Sequence, residues 1–218
     1  MDSFYNSNEM VKMGCGHCEN CSACCKDMGQ SIVLTPYDVY QLTINLQKSF
    51  EELMAAGVVE LHVEEGLILP NLRMTGEGSK PRCSFLNEEG RCSIHDFRPG
   101  LCRLFPLGRD YHDGGFQYFL VEGACVKDSE VRPGQKTKVK ISSWLNETAL
   151  KKNETFISDW HYFMREVQGI LNSLEAGDEK AKAINMAILQ NAYMIPYDSQ
   201  IDFYEQFEAR KQAIAQTI

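Results

Sequence analysis

The segment Cys15-Gly-His-Cys18-Glu-Asn-Cys21-Ser-Ala-Cys24-Cys25 places five of the nine cysteines of the chain within eleven residues. Each two-residue spacing lets two thiolates turn toward one ion, while nearby backbone amides point at sulfur. Cys15, Cys18, Cys21 and Cys25 also have the C-x2-C-x2-C-x3-C spacing of bacterial ferredoxins. This segment predicts a metal site, and the rest of the fold is expected to form around it.

The adjacent pair Cys24-Cys25 indicates more than one coordination position. Neighbouring side chains on extended backbone point in opposite directions, so the two thiolates would more easily serve two sites or bridge two metals than bind one ion. The further ligands that this requires are available in a second group, which comprises Cys83, Cys92, Cys102 and Cys125. The turn expected at 87–90 would bring Cys83 and Cys92 to one side of a hairpin. We predict one or two metal centres in which both groups take part.

Clustered thiolates repel one another, and two arginines beside Cys102 are predicted to offset that charge. Arg98 and Arg103 can donate hydrogen bonds to sulfur in addition to supplying positive charge. The histidines are weaker candidates: His17 is expected to be exposed in its loop and His95 to pack, although either could ligate a metal. The alternative that the cysteines are simply buried structural thiols does not explain their two-residue spacings.

Composition limits the compartment and the partners. The odd number of nine cysteines excludes complete internal disulfide pairing. Since the N-terminus resembles no export signal, we expect reduced thiols and a cytoplasmic location. The net charge of −8 argues against nucleic acid and anionic membrane partners. The longest apolar run, 53–59, is far below the ~20 residues that cross a bilayer.

The hydrophobic pattern predicts an α+β fold with a helical tail. Thr35 and Ser49 are expected to cap two short helices, the first preceded by a short strand at 32–34. Two β-hairpins are expected at 58–63 with 67–72 and at 104–111 with 116–122. After a linker at 127–135, helices are expected at 143–150, 154–174, 178–194 and 201–216. The prediction is therefore a small Cys-rich domain of β-hairpins and short helices around a metal site, residues 1–147, with a helical C-terminal extension, residues 148–218, packed on it.

Several motifs together resemble one known family. They are Cys18-x2-Cys21-x2-Cys24-Cys25, Cys83-Ser-Phe-Leu, Gly90-Arg-Cys92-Ser-Ile and Arg98-Pro-Gly-Leu-Cys102-Arg-Leu-Phe-Pro106. Over roughly residues 18–147 the chain resembles the YkgJ-type proteins, the CxxCxxCC cysteine-cluster family. The resemblance implies chelation of zinc or iron, and it is distantly shared with flagellin lysine N-methylases. The implied metal ligands are Cys18, Cys21, Cys24, Cys25, Cys83, Cys92, Cys102 and Cys125, with Cys15 as an additional candidate outside the signature.

Three functions are compatible with these features. The first is a cytoplasmic metal-binding protein that holds an iron–sulfur cluster, which the ferredoxin-like spacing favours, or zinc, in a structural or electron-transfer role. The second is an iron–sulfur-dependent, methylase-like enzyme that modifies proteins, and the third is a thiol–disulfide redox protein. No catalytic residue can be named, because the chain lacks a Gly-rich phosphate loop and the common hydrolase motifs. The aromatic-rich end of the tail, 193–207, is expected to pack on the body, with a homodimer or another protein partner as the alternative.

Overall fold

The computed structural model of this 218-residue chain describes residues 3–13, 22–76, 81–121, 137–175 and 177–218. Of the described residues, 45% are helical and 22% are in strands, with small sheets and a helical C-terminal region, which confirms the mixed α and β class. The strands are β1 (Phe4–Tyr5), β2 (Met10–Met13), β3 (Val59–Glu64), β4 (Leu67–Leu72), β5 (Met74–Thr75), β6 (Arg82–Cys83), β7 (Leu107–His112), β8 (Gly115–Leu120) and β9 (Thr137–Lys140). The helices are α1 (Pro36–Leu46), α2 (Phe50–Ala55), α3 (Gly100–Leu104), α4 (Ile141–Leu145), α5 (Leu150–Leu171), α6 (Glu179–Ile188) and α7 (Phe203–Ala215).

Helices α1 and α2 begin where their capping residues predict. The side chain of Thr35 accepts from the backbone N–H of Asp38, whose carboxylate accepts in return from the Thr35 N–H. Ser49 and Glu52 form the same reciprocal arrangement at α2. Each arrangement satisfies two of the backbone N–H groups that a helix N-terminus leaves without a partner. Both predicted helix starts are confirmed.

Both predicted hairpins are present. Strands β3 and β4 pair antiparallel, as do β7 and β8, and β1 extends the second pair into a three-stranded sheet ordered β1-β8-β7. Each turn has two consecutive residues with positive φ, Glu65-Gly66 and Asp113-Gly114, as tight hairpin turns require. Strands β2 and β9 form a separate two-stranded sheet, and so do β5 and β6.

Two strand predictions need correction. The expected strand at 32–34 is a single bridge from Val33 to Asn71 rather than a ladder. The second hairpin starts at Leu107 instead of Leu104, because Leu104 ends helix α3. Pro106, which follows a cis peptide bond, has no N–H with which to extend the strand backward.

The tail is helical as predicted, with shifted boundaries. Helix α4 begins at Ile141, and Asn146, with φ of 48°, ends it in the left-handed conformation. The helix predicted at 178–194 consists of α6 followed by a π-helical segment at Leu189–Met194. The predicted linker at 127–135 lies outside the described residues. None of the described helices has the length and apolarity needed to cross a membrane.

One apolar core joins the cysteine-bearing part to the tail. It contains Val39 and Phe50 from the first two helices together with Trp160, Tyr193 and Phe207 from the tail. The aromatic end of the tail packs into this core as predicted: the ring of Phe203 lies 5.1 Å from that of Tyr37, and the rings of Tyr193 and Phe50 stack at 6.0 Å. The division of the chain at 147/148 and the dimer alternative stay predictions.

Candidate metal centre

All five cysteines in the described part of the chain line one cavity of about 40 Å³. They are Cys24, Cys25, Cys83, Cys92 and Cys102, and buried Ile32, Leu72 and Ile94 line the same cavity. These sulfurs come from four separate places in the sequence. The other candidate ligands, Cys15, Cys18, Cys21 and Cys125, lie outside the described residues.

Short elements place Cys83 and Cys92 at the cavity. Cys83 ends β6, where it pairs with Met74 of β5. The turn at 87–90 closes with a hydrogen bond from the Gly90 N–H to the Asn87 carbonyl, and a β-bridge from Leu86 to Cys92 follows it. The expectation that this turn brings both cysteines to one side is confirmed.

Cys102 is placed by a buried carboxylate whose role sequence reasoning missed. Asp38 is 4% exposed, and its Oδ1 accepts from the Gly100 N–H at 2.7 Å, at the start of the helix that carries Cys102. In the sequence, Asp38 stands three residues after the predicted cap Thr35, a position typical of a helix start. No local pattern could have revealed a contact between residues 62 positions apart.

The adjacent pair Cys24-Cys25 lies in a 3-10 turn, Ala23–Cys25, rather than in extended backbone. The premise that the two side chains point in opposite directions is therefore wrong, because both line the same cavity. A hydrogen bond from the Cys25 N–H to the Ser22 carbonyl, at 3.0 Å, stabilises this turn. A backbone β-bridge between Lys26 and Arg82 connects the turn to strand β6. Whether there is one centre or two stays a prediction.

Comparison with known proteins agrees with this geometry. Residues 17–144 match the family model CxxCxxCC, described as "Putative zinc- or iron-chelating domain", over more than half of the chain. The chain belongs to the CxxCxxCC family. No curated protein and no solved structure matches it. The eight signature cysteines lie within the matched range of the CxxCxxCC family, whereas Cys15 lies before it.

The thiols of this CxxCxxCC site differ in acidity. A hydrogen bond from Cys25, helped by the positive charge of Arg98, lowers the pKa of Cys24. The same hydrogen bond, which Cys25 donates, raises the pKa of Cys25. Burial is the largest cause that raises the pKa of Cys83, Cys92 and Cys102. The cavity therefore favours one thiolate, and binding of a metal must displace protons from the other thiols.

Of the two arginines proposed to offset thiolate charge, the structure brings one to the sulfurs. Arg98 lines the cavity, and its Nη1 donates to the ring Nε2 of exposed His95 at 2.8 Å. Arg103 is occupied elsewhere, since its Nη1 donates to Glu147 Oε2 at 3.0 Å. The expectation that His95 packs is wrong, because His95 is exposed and contacts the arginine rather than the cavity. His17 lies outside the described residues.

The donor set fits zinc or iron by its chemistry. Thiolate sulfur is a soft ligand that binds zinc ions and iron–sulfur clusters. Within the described ranges, however, no three His, Cys, Asp or Glu side chains already stand at metal-binding geometry. The described thiols surround the cavity without converging on one point, and three family cysteines are not among them.

Proposed function

We propose that this protein binds a metal centre through its clustered cysteines, in a reducing compartment such as the cytoplasm, and that the centre has a structural or electron-transfer role. The observation that carries the proposal is that five thiols from four separate parts of the sequence line one cavity. Membership in a family described as zinc- or iron-chelating supports the same function. Reduced thiols of this kind persist in compartments that keep cysteines from pairing.

An iron–sulfur centre is the form we favour. The ferredoxin-like spacing supports it, and eight family cysteines exceed the four that complete one tetrahedral zinc site. A second zinc ion would account for eight thiolates equally well. The metal itself must therefore be identified.

The metal is expected to hold the cavity walls together. Its ligands come from a 3-10 turn, a strand end, a hairpin and helix α3, which are separate elements of the described structure. Binding by all of them would link four parts of the chain at one point. Metal affinity then adds directly to the stability of the folded state.

Anaerobic purification followed by metal and sulfide analysis and a visible absorption spectrum tests the proposal. We expect iron with sulfide and a brown protein. A colourless protein with bound zinc would retain metal binding and overturn the iron–sulfur form. A protein without metal whose thiols are all free, or that cycles between a dithiol and a disulfide, would overturn the proposal in favour of the redox alternative.

Two variants test whether Cys83 is a ligand. Cys83→Ser removes a sulfur from the cavity wall, and we expect it to lower the metal content by at least half. Ser84→Ala is the matched control, because Ser84 is the exposed neighbour of Cys83 and no candidate ligand, and it should retain the full metal content. Equal metal content in the two variants would contradict the assignment of Cys83 as a ligand.

A further inference from the structure

A second cavity, of about 30 Å³, has no cysteine among the residues that line it. We call it the arginine pocket, because Arg98, Arg103 and Arg109 all line it, together with Asp38, Glu147 and Tyr118. Arg98 lines both cavities. The arginine pocket contains none of the candidate metal ligands.

The two carboxylates of the arginine pocket are already occupied by donors. Asp38 accepts from the Thr35 N–H and hydroxyl, each at 2.8 Å, and from the Gly100 N–H at 2.7 Å. Glu147 accepts from Arg103 at 3.0 Å and from the Tyr37 hydroxyl at 3.2 Å. Three arginines and two acidic residues line the pocket, so its lining has one positive charge in excess.

One nitrogen of Arg109 lacks a hydrogen-bond partner. This Nε is buried and has no acceptor among the residues that the structure describes, while the guanidinium group also lies close to the hydroxyls of Tyr111 and Tyr118. The guanidinium lies 5.2 Å from the centre of the Phe116 ring, which supplies cation–π attraction but no acceptor atom. Buried N–H donors nearly always have an acceptor in native proteins, so the missing partner of Arg109 must come from outside the described residues.

We propose that the arginine pocket binds the carboxylate group of a small molecule, with the Nε of Arg109 donating to one of its oxygens. A planar carboxylate matches the planar fork of a guanidinium group and neutralises the excess charge. A cavity of 30 Å³ has room for about two water molecules, which is the size of a carboxylate group. Because Arg98 lines both cavities, the bound carboxylate would lie next to the metal centre. The proposal does not depend on which metal is bound there.

The test follows the Nε–H signal of Arg109 by nuclear magnetic resonance in the full-length, metal-loaded protein. Sodium acetate is titrated against sodium chloride at equal ionic strength. We expect acetate to move this signal downfield saturably, and chloride to leave it unmoved. Bound acetate should also raise the temperature of thermal unfolding. Arg109→Lys should remove both the signal and this stabilisation. The matched control Arg165→Lys, on exposed helix surface, should keep both.

The proposal is overturned if acetate causes no saturable shift, or if chloride causes the same one. Saturation by inorganic phosphate without any response to acetate would also overturn the carboxylate assignment. The Arg109 signal can be assigned through bonds from the backbone of the wild-type protein. The titration therefore remains decisive even if Arg109→Lys does not fold.

Discussion

Replacement of Asp38 by asparagine should destabilise the protein although it changes the shape of the side chain very little. The carboxylate accepts three hydrogen bonds, two at Oδ2 from Thr35 and one at Oδ1 from Gly100. An amide has only one acceptor oxygen, so its NH₂ group must face either the Thr35 donors or the Gly100 N–H. A buried donor left without an acceptor costs about 1–3 kcal/mol.

Two further contributions modify that cost. The remaining hydrogen bonds lose their charge assistance, which amounts to roughly 1 kcal/mol. In the opposite direction, the variant no longer buries a charge, and burial of that charge is the largest cause that raises the pKa of Asp38. We therefore expect Asp38→Asn to lower the free energy of unfolding by about 2 kcal/mol, within the range that single buried polar substitutions produce.

Urea unfolding of the metal-loaded protein, followed by circular dichroism, measures this change. Asp113→Asn is the matched control, because its side chain is 100% exposed at a hairpin tip where φ is 50°, a conformation that asparagine tolerates. The control should stay within about 0.5 kcal/mol of wild type. If Asp38→Asn also stays within that margin, the claim that Asp38 positions the start of helix α3 is refuted. Since α3 carries Cys102, release of metal to a chelator should also be faster in Asp38→Asn than in the control.

Two further substitutions and one pH dependence test other features. Asn185→Ala removes a side chain that accepts from the Ile68 N–H at 2.8 Å and donates to the Gly66 carbonyl at 3.0 Å. It should lower the free energy of unfolding, measured in urea, by about 2 kcal/mol. The control Asn45→Ala, at an exposed position, should change it very little. Arg210→Ala removes donors to three backbone carbonyls and a guanidinium group that lies 3.6 Å from the Tyr197 ring. It should lower the free energy of unfolding by about 2–3 kcal/mol. A loss no larger than that of the control Arg165→Ala would contradict this prediction. The raised pKa of Asp38 means that the folded protein holds this proton more tightly than the unfolded chain. The free energy of unfolding of wild type, relative to that of Asp38→Asn, should therefore fall as the pH rises from about 4 to the raised pKa of Asp38, and then level off. Urea unfolding of both proteins at several pH values measures this difference. A difference that grows with pH over this range would contradict the raised pKa.

Local chemistry made much of the fold predictable. Thr35 with Asp38 and Ser49 with Glu52 specify helix starts through contacts only three residues apart, and the turn at Asp113-Gly114 specifies its hairpin in the same way. The prediction of a strand at 32–34 was wrong, because an apolar run does not determine how many of its residues will pair with a neighbouring strand.

The sequence predicted which cysteines belong to the candidate site better than it predicted the contacts that position them. The spacing of the cysteines indicated which thiols would come together, and the five that are described do line one cavity. The sequence could not show that Arg103 turns to Glu147, because that ion pair joins residues 44 positions apart. For the same reason, the arginine pocket, which draws on α1, α3, β7 and the start of α5, has no sequence signature.

The core shared between the cysteine-bearing part and the tail has a consequence for how the protein is made. Phe50 emerges from the ribosome long before Tyr193, against whose ring it stacks, and the buried Ile214 emerges later still. During synthesis, the cysteines therefore become available while the core beneath them still lacks one side. A nascent chain in this state offers its thiols to any metal or oxidant nearby, so the order of translation places loading of the metal in competition with oxidation of the thiols.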